Sequence, residues 1–391
     1  MNLQALQSFM RDQRIDAWLI YDFRGSNPVL ARLVTMGTHL TRRALLLIPA
    51  RGEPRMAVSP LDHNQFGKAQ FPREQYLGWQ GLRDWLTTNL AGYARVAMEY
   101  SPGGNLPICS FVDCGTVEMI RAMGVEVVSS ADLVQVSAAC WGEQAAKRHL
   151  EASCKTAGVK DAAFAYIAQQ HRAGKTPLEH EVAALIRDRF TAEGLEFPDG
   201  PIVGVNGHAG DPHFEPSESQ PTPIKPGDWI LIDLWARVPG DENVHADITW
   251  VGYAGKTVPD RHMQVFRAVK AGRDAAVAAV QSAWAAQRPI QGWQLDDAAR
   301  APMLAAGFEK NIKHRTGHSL SPGPKVHGLG ANLDNMETRD TRTIMPDTGF
   351  TIEPGLYFDD LGVRLEINLY MDPARGPTIT SCVQEQPVLV V

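Results

Sequence analysis

Two kinds of hydrophobic pattern follow one another along this chain of 391 residues. The first part opens with an amphipathic segment at 3–14, which predicts a helix. Short apolar runs then predict β-strands at 17–21, 44–48, 95–98 and 125–128. Helical and strand patterns therefore alternate, which predicts a small α/β domain over residues 1–140. A chain of this length also exceeds the size of one typical hydrophobic core, so we expect a second domain.

The second part begins with a long helical pattern at 143–172, which is rich in alanine and contains no proline. Further helical patterns cover 178–193 and 259–287 and predict an outer helical layer. Apolar strand-like runs lie between and after these helices, and two of them follow Pro-Gly turns at 225–228 and 345–349. The likeness of the two turns suggests two related halves. We place the domain boundary after residue 140 and assign 141–391 to the second domain.

Composition and charge narrow the classes of function. The hydrophobic fraction of 44% and the charged fraction of 21% are those of an ordinary globular protein. The formal charge of −6 is spread along the chain without a basic run, so nucleic acid is not an expected partner. No apolar stretch approaches the roughly 18 residues of a membrane helix, and the N-terminus lacks a signal-peptide pattern. We therefore expect no membrane association and a cytoplasmic protein.

Two carboxylates stand in apolar surroundings where an unpaired charge is costly. Asp233 ends the apolar run 229–232, and Asp247 lies in a second run at 246–251. A buried carboxylate needs a counter-ion or a metal ion, and for Asp233 alone a structural ion pair is an equal alternative. The intervening loop at 238–244 predicts a hairpin that brings both carboxylates together. Adjacent carboxylates repel each other unless cations lie between them, so the pair indicates a metal site.

The C-terminal third supplies three further ligand candidates, namely His318, Glu353 and Glu366. His314 and His327 lie near His318, and since one imidazole suffices as a ligand, the others are free to contact substrate. Glu353 follows an apolar strand and precedes a Pro-Gly turn. Arg364 lies on the same strand face as Glu366 by period-2 alternation, so it can orient a ligand carboxylate.

Four carboxylates and one imidazole suit hard or borderline divalent cations better than a thiolate-selected metal. We expect two ions, with manganese as the first candidate and cobalt, zinc and iron as alternatives. Such a pair lowers the pKa of a shared water and polarises a carbonyl group, which are the requirements for amide hydrolysis.

These contexts resemble the pita-bread metallopeptidases, the family of prolidase, aminopeptidase P and methionine aminopeptidase. The family's ligand order of Asp, Asp, His, Glu and Glu is matched in full by Asp233, Asp247, His318, Glu353 and Glu366. The resemblance implies a pita-bread catalytic domain over 141–391. It also implies an α/β N-terminal domain of the creatinase/prolidase type, carried more faintly by the opening helix and the strand after it.

The resemblance also implies roles for individual residues. Glu353 would act as general base towards the water shared by the ions. His213 and His327 would position the scissile carbonyl and stabilise the oxyanion, and His314 also fits the family pattern. Apart from the resemblance, we expect His314 and Arg364 to contact substrate as well. The implied activity is hydrolysis of Xaa-Pro dipeptides or short peptides by a hydroxide that bridges the two metal ions. The family likeness further implies a homodimer.

The chain departs from the family pattern around the expected substrate pocket and not at the ligands. Trp235 stands where the family usually has glycine, Val244 replaces a usual tyrosine, and Trp250 replaces a usual arginine. The spacing from Asp233 to Asp247 and the gap from His318 to His327 are both longer than usual. Three alternatives therefore stay open: an Xaa-Pro aminopeptidase, a hydrolase or lyase of this fold acting on a non-peptide small molecule, and a catalytically silent binding protein.

Overall fold

A computed structural model describes residues 2–391 of the chain. By the contacts between residues, the chain divides into two compact units, the first ending at Ala138 and the second running from Ala139 to Val391. The domain boundary that we placed after residue 140 stays a prediction.

The first unit is a mixed sheet with helices. Its helices are α1 (Leu3–Asp12), α2 (Pro28–Leu33), α3 (Gly78–Asn89), α4 (Cys114–Arg121) and α5 (Ala131–Val134). Its strands are β1 (Ala17–Phe23), β2 (Arg43–Pro49), β3 (Arg55–Val58), β4 (Arg73–Gln75), β5 (Arg95–Met98) and β6 (Glu126–Ser129). Among residues 2–138 the strand order is β4-β3-β2-β1-β5-β6. The strand β1 pairs antiparallel with β2 and parallel with β5.

The predicted helix and the four predicted strands of this unit are confirmed as α1, β1, β2, β5 and β6. The apolar runs are buried in the sheet and pack against helices. Leu19, Leu47 and Val96, on three neighbouring strands, belong to one core with residues of α3 and α4. Helix α1 begins where the side chain of Asn2 accepts a hydrogen bond from the backbone N–H of Ala5.

The second unit contains longer helices and several sheets. Its helices are α6 (Glu143–Arg172), α7 (Glu179–Ala192), α8 (Asp260–Ala285) and α9 (Gly292–Ala305). Its strands are β7 (Ile202–Val205), β8 (Trp229–Ala236), β9 (Ala246–Tyr253), β10 (Ser319–Leu320), β11 (Gly349–Ile352), β12 (Gly355–Tyr357), β13 (Gly362–Arg364), β14 (Ile367–Asp372), β15 (Gly376–Ile379) and β16 (Val388–Leu389). Within 139–391 they form sheets of order β16-β9-β8-β7, β10-β11-β14-β15 and β12-β13.

A pair of helices packs on each larger sheet of this unit. Residues of α6 and α7, including Phe164 and Ile186, share a core with Ile232 of β8. Residues of α8 and α9, including Val280 and Leu295, share a core with β11 and β14. The three long helices expected from the sequence are confirmed, with α6 at its predicted bounds. Helix α8 also packs on the sheet that contains β8, since Phe266 shares a core with Leu231 and Val251. The suggestion of two related halves stays a prediction.

Candidate metal centre

The hairpin of β8 and β9 carries Asp233 and Asp247. In its antiparallel register Asp233 lies opposite Thr249, and Asp247 lies opposite Trp235. The two aspartates are therefore diagonal neighbours on one face, since side chains alternate between faces along a strand. The predicted hairpin is confirmed, but the prediction that Asp233 ends its strand is wrong, because β8 continues to Ala236. The continuation places Trp235 beside the two carboxylates.

His318 and Glu353 are brought together by the pairing of β10 with β11. His318 immediately precedes β10 and Glu353 immediately follows β11, so the antiparallel pair places both at the same end. The Nε2 atom of His318 lies 3.4 Å from Oδ2 of Asp247 and 3.5 Å from Oε1 of Glu353. Its Nδ1 atom lies 3.1 Å from the carbonyl oxygen of Ser319. If Nδ1 donates to that carbonyl, Nε2 is unprotonated. Its lone pair then faces the carboxylates and is available to a metal ion.

Glu366 completes the group at a break between β13 and β14. The prediction that Glu366 and Arg364 occupy one continuous strand is wrong, since β13 ends at Arg364 and β14 begins at Ile367. Glu366 is nevertheless buried, and its Oε2 atom accepts a hydrogen bond of 2.8 Å from Thr249 Oγ1. Ligand atoms of Asp247, His318 and Glu366 lie within 4.8 Å of one another. Glu353 contacts His318, and Asp233 shares a face of the β8–β9 hairpin with Asp247, so the five predicted ligands lie together.

Three carboxylate oxygens in this cluster are fully buried and have no hydrogen-bond partner, namely Asp233 Oδ1, Asp247 Oδ1 and Glu366 Oε1. An unpaired buried polar atom costs about 1–3 kcal/mol, and more when it is charged. Arg364 is the cation that directly contacts the cluster, through Asp233 Oδ2 and at 3.9 Å from Glu353 Oε2. One guanidinium does not balance four carboxylates. The donor set, all oxygen apart from one imidazole nitrogen, fits divalent cations.

Burial and neighbouring charges also determine the protonation of these carboxyl groups. Burial raises the pKa of Asp233 to about 7, with the charges of Asp247 and Glu353 adding to the effect. Burial and neighbouring carboxylates also raise the pKa values of Asp247 and Glu366 well above their usual range. Burial acts in the same direction on Glu353, but nearby imidazole and guanidinium charges outweigh it and lower its pKa. Glu353 is therefore the carboxyl group that ionises first.

Polar side chains around the proposed ligands hold the carboxylates in place. Arg364 donates through Nε to Thr249 Oγ1 at 3.0 Å and through Nη1 to Tyr357 Oη at 3.0 Å. Thr351 Oγ1 donates to Glu353 Oε1 at 3.0 Å and accepts from the backbone N–H of His318 at 2.9 Å. Asn368 binds the backbone of Asp247 from both sides, accepting from its N–H and donating to its carbonyl. These contacts fix the carboxylate orientations.

Three of these supporting positions, Thr249, Thr351 and Asn368, were not predicted from the sequence. Each lies two positions from a predicted ligand: Thr249 from Asp247, Thr351 from Glu353, and Asn368 from Glu366. Such a polar residue in an apolar run is a usable indicator, because residues two apart on a strand share a face. For Asn368 the indicator is weaker, since the strand is broken at Glu366.

The predicted substrate histidines differ in their surroundings. The ring of His327 is exposed and lies 4.1 Å from that of His318, measured between centroids. The charge of His318 and partial burial lower the pKa of His327 to about 4, so its ring is neutral at pH 7. His314 contacts Tyr357 Oη through Nε2 and its neighbour's carbonyl through Nδ1, each at 2.6 Å. His213 is exposed, and within 2–391 no hydrogen bond joins its ring to the cluster. Its substrate role stays a prediction.

Comparison with known proteins places the chain in a family. The model of metallopeptidase family M24 matches residues 151–373, which include all five converging side chains. The chain belongs to metallopeptidase family M24. This membership confirms the expected enzyme class and the pita-bread fold of the second unit. A metal requirement follows from this membership.

Individual relatives agree with this assignment. The metallopeptidase is 25% identical over 356 residues to the probable dipeptidase PepE of Mycobacterium tuberculosis, a match that covers 90% of this chain and 86% of the relative. The crystal structure of dipeptidase PepE from Mycobacterium ulcerans superposes with a TM-score of 0.71 at 22% identity, covering 99% of this chain and 96% of the other. That structural likeness confirms the two-domain α/β architecture.

A second solved structure is the X-prolyl aminopeptidase of Caenorhabditis elegans, described as a cytosolic enzyme with a di-nuclear active site. It matches with a TM-score of 0.66 at 17% identity over 98% of this chain and 62% of its own length. At this identity the likeness concerns the fold alone. Among residues 2–391, no helix combines the length and apolar character needed to cross a bilayer.

Proposed function

We propose that this metallopeptidase is an Xaa-Pro dipeptidase that acts on dipeptides or short peptides with two divalent ions, manganese first among them. The observation that carries the proposal is the convergence of four carboxylates and one imidazole, with three buried oxygens left unpaired. The relative that matches this chain over most of its length is named a probable dipeptidase, which supports the choice of dipeptidase over aminopeptidase.

The proposed ligands are Asp233, Asp247, His318, Glu353 and Glu366. When bound, the ions would lower the pKa of a water molecule and polarise the scissile carbonyl group. The protein's share is to hold the ligand atoms in a fixed arrangement. Thr249 and Arg364 hold Glu366 and Asp233, and Asn368 holds the backbone at Asp247. A carboxylate held in this way loses little conformational freedom on coordination.

Glu353 is the proposed general base. Its side chain is 16% exposed, against 6% for Asp247 and 11% for Asp233, so it is the most open of these three carboxylates towards an incoming water. Its lowered pKa keeps it ionised at neutral pH, as a proton acceptor must be. Thr351 occupies Oε1 through its hydroxyl group, which leaves Oε2 to take the proton.

The proposed roles of the histidines follow from their contacts. A neutral, exposed His327 beside His318 can donate an N–H to the substrate carbonyl oxygen and to the oxyanion that forms from it. His213 is proposed to contact the same carbonyl from its exposed loop. His314 is engaged at both ring nitrogens, so we propose that it acts through Tyr357 on Arg364. Arg364 is itself buried among protein partners and is proposed as a positioning residue for Asp233.

The test of this function is the hydrolysis of matched peptides by manganese-loaded protein. We expect the highest kcat/KM for Ala-Pro, lower values for Ala-Pro-Ala and little turnover of Ala-Ala. A kcat/KM for Ala-Pro-Ala at or above that for Ala-Pro would assign an aminopeptidase instead. Absence of turnover on all three peptides would contradict the proposal and leave the non-peptide and silent alternatives.

Two coarser properties complete the proposal, a homodimeric assembly and a cytoplasmic location. The location is supported by the neighbouring enzyme described as cytosolic. The dimer is supported by the family likeness alone. Light scattering coupled to size exclusion is the direct measurement, and we expect twice the chain mass of 42.9 kDa.

A further inference from the structure

Trp235 borders the carboxylate cluster from β8. It follows Asp233 by two residues on the same strand, so the two side chains share a face. In the pairing of β8 with β9 it lies directly opposite Asp247. The residue is only part-buried, so part of it remains accessible to solvent.

Two contacts hold this indole in place. Its ring packs over Gly200, where an added Cβ would lie 2.6 Å from Cζ2 and Cη2, so this close approach requires glycine. Its Nε1–H donates to Oδ1 of Asp199 at 2.9 Å. Asp199 is exposed. The loop before β7 and the strand β8 thus present a carboxylate and an aromatic ring side by side.

The carboxylate of Asp199 lacks a cationic partner. Among residues 2–391 it forms no ion pair, and the nearby Arg187 donates to the carbonyl of Gly200 at 3.5 Å. Its hydrogen bond with Trp235 joins this carboxylate to a side chain that lies directly opposite Asp247 in the strand pairing, so Asp199 is held next to a residue that borders the proposed ligands.

We propose that Asp199 and Trp235 form a subsite for a cationic group on the amino-terminal residue of the substrate. This inference rests on the proposed peptidase function. In an Xaa-Pro dipeptide, the available cations are the α-ammonium group and, when Xaa is lysine or arginine, its side chain. A carboxylate beside an indole ring binds both kinds of cation, through a charge-assisted hydrogen bond and a cation–π contact. The glycine usual in the family at the position of Trp235 could supply neither the ring nor the hydrogen bond.

The test is calorimetric binding of three small probes that are not peptide substrates to manganese-loaded protein. Lysine amide carries both cations, norleucine amide carries only the α-ammonium group, and N-acetylnorleucine amide carries neither. We expect Asp199→Asn to weaken binding of lysine amide about tenfold and to leave the acetylated probe unchanged. Equal weakening of norleucine amide would identify the α-ammonium group as the bound cation. Unchanged binding of norleucine amide would identify the side chain.

Three variants control the experiment. Asp199→Glu keeps the charge and should retain most of the binding of lysine amide, whereas Trp235→Phe keeps an aromatic ring but loses the N–H that holds Asp199. Asp241→Asn removes an equal charge from the exposed hairpin loop and should change nothing. The proposal is overturned if Asp199→Asn alters all three probes by one factor, or alters none.

Hydrolysis of Ala-Pro by the same wild-type preparation separates this inference from the function on which it rests. Turnover without charge-dependent binding would overturn the subsite alone. Charge-dependent binding without turnover would overturn the peptidase proposal and leave the subsite in place.

Discussion

At the scale of single residues, the protein does not supply a hydrogen-bond partner for every carboxylate oxygen of the five proposed ligands. Asp233 forms an ion pair with Arg364, which is one of the two alternatives that the sequence left open, and its role as a metal ligand stays a proposal. Its Oδ2 atom is occupied by the guanidinium, and its Oδ1 atom is buried and unpaired. A structural salt bridge would not leave that second oxygen without a partner.

Glu353→Gln tests the proposed base. The amide cannot accept a proton, so we expect kcat on Ala-Pro to fall about 10²–10⁴-fold. The fold should persist, as shown by an unchanged circular dichroism spectrum. Glu193→Gln, an exposed carboxylate at the end of α7, serves as the matched control and should keep wild-type kinetics. Wild-type turnover by the Glu353 variant would remove this residue from the chemistry.

Glu99 allows a prediction for the first unit. It is fully buried, and burial raises its pKa to about 6 although it accepts hydrogen bonds from Trp18, Asn27 and Ser130. A carboxyl group whose pKa is raised on folding contributes stability below its unfolded value, about 4.3, and loses it as the pH rises through about 6. The difference between these two pKa values corresponds to about 2 kcal/mol.

We therefore expect the unfolding free energy of the wild-type chain to decline between about pH 4 and pH 7 relative to that of Glu99→Gln. The glutamine amide would face donors that need an acceptor, so the variant should be less stable at pH 5 by about 1–3 kcal/mol. Denaturant titrations of both proteins at several pH values measure the difference. Parallel pH profiles would contradict the raised pKa of Glu99.

At the scale of elements, the site depends on close backbone contacts between short strands. Gly317 precedes His318, and a Cβ at this position would lie 2.1 Å from the carbonyl oxygen of Thr351. The contact is with backbone on the neighbouring strand β11, so no side chain can move aside. Glycine is required there by the approach of the two strands and not by its own backbone angles.

Gly317→Ala should therefore push β10 away from β11 and displace His318 from the carboxylates. We expect a loss of about 1–3 kcal/mol in unfolding free energy and weaker metal binding. Gly158→Ala is the opposite control, because Gly158 is exposed inside α6 with open space at its Cβ position. That change should stabilise the chain by about 0.5–1 kcal/mol. Equal stability effects in the two variants would refute the steric argument for Gly317.

At the scale of the whole molecule, metal ions should stabilise the folded chain. Ions that bind the folded state and not the unfolded state add about 2.7 kcal/mol at a free concentration one hundred times Kd. Chelation should lower the thermal midpoint and abolish turnover, and manganese should restore both. We expect about two ions per chain by elemental analysis. Fewer than one ion after reconstitution would favour a silent binding protein.

Asp247→Asn provides the matching variant. It replaces a buried carboxyl group whose ionisation is opposed by burial and by the charge of Glu353, so the metal-free variant should be at least as stable as the metal-free wild type. Manganese should stabilise it little, and its activity should fall more than about a hundredfold. A thermal shift with manganese as large as in the wild type would show that Asp247 is not a ligand.

Local pattern predicted much of this protein. Helix α6 and the strands β1 and β5 follow from hydrophobic period and from the absence of proline, and these depend only on neighbouring residues. The ligand order of Asp, Asp, His, Glu and Glu was equally visible, because carboxylates in apolar runs are costly and therefore rare. The chain's own residues thus determined the fold class, the metallopeptidase family and the candidate ligands.

Tertiary structure decided how those ligands are supported and what borders them. The end of β8 depends on its pairing with β9, which extends the strand past Asp233 to Ala236 and carries Trp235 to the cluster. The partnership of Trp235 with Asp199 joins residues 36 positions apart and has no periodic pattern. The same holds for Thr249 and Glu366, 117 positions apart. Such contacts depend on strand register and loop path, which arise only when distant segments pack. Helix and strand patterns, in contrast, depend on residues that are close together in the sequence.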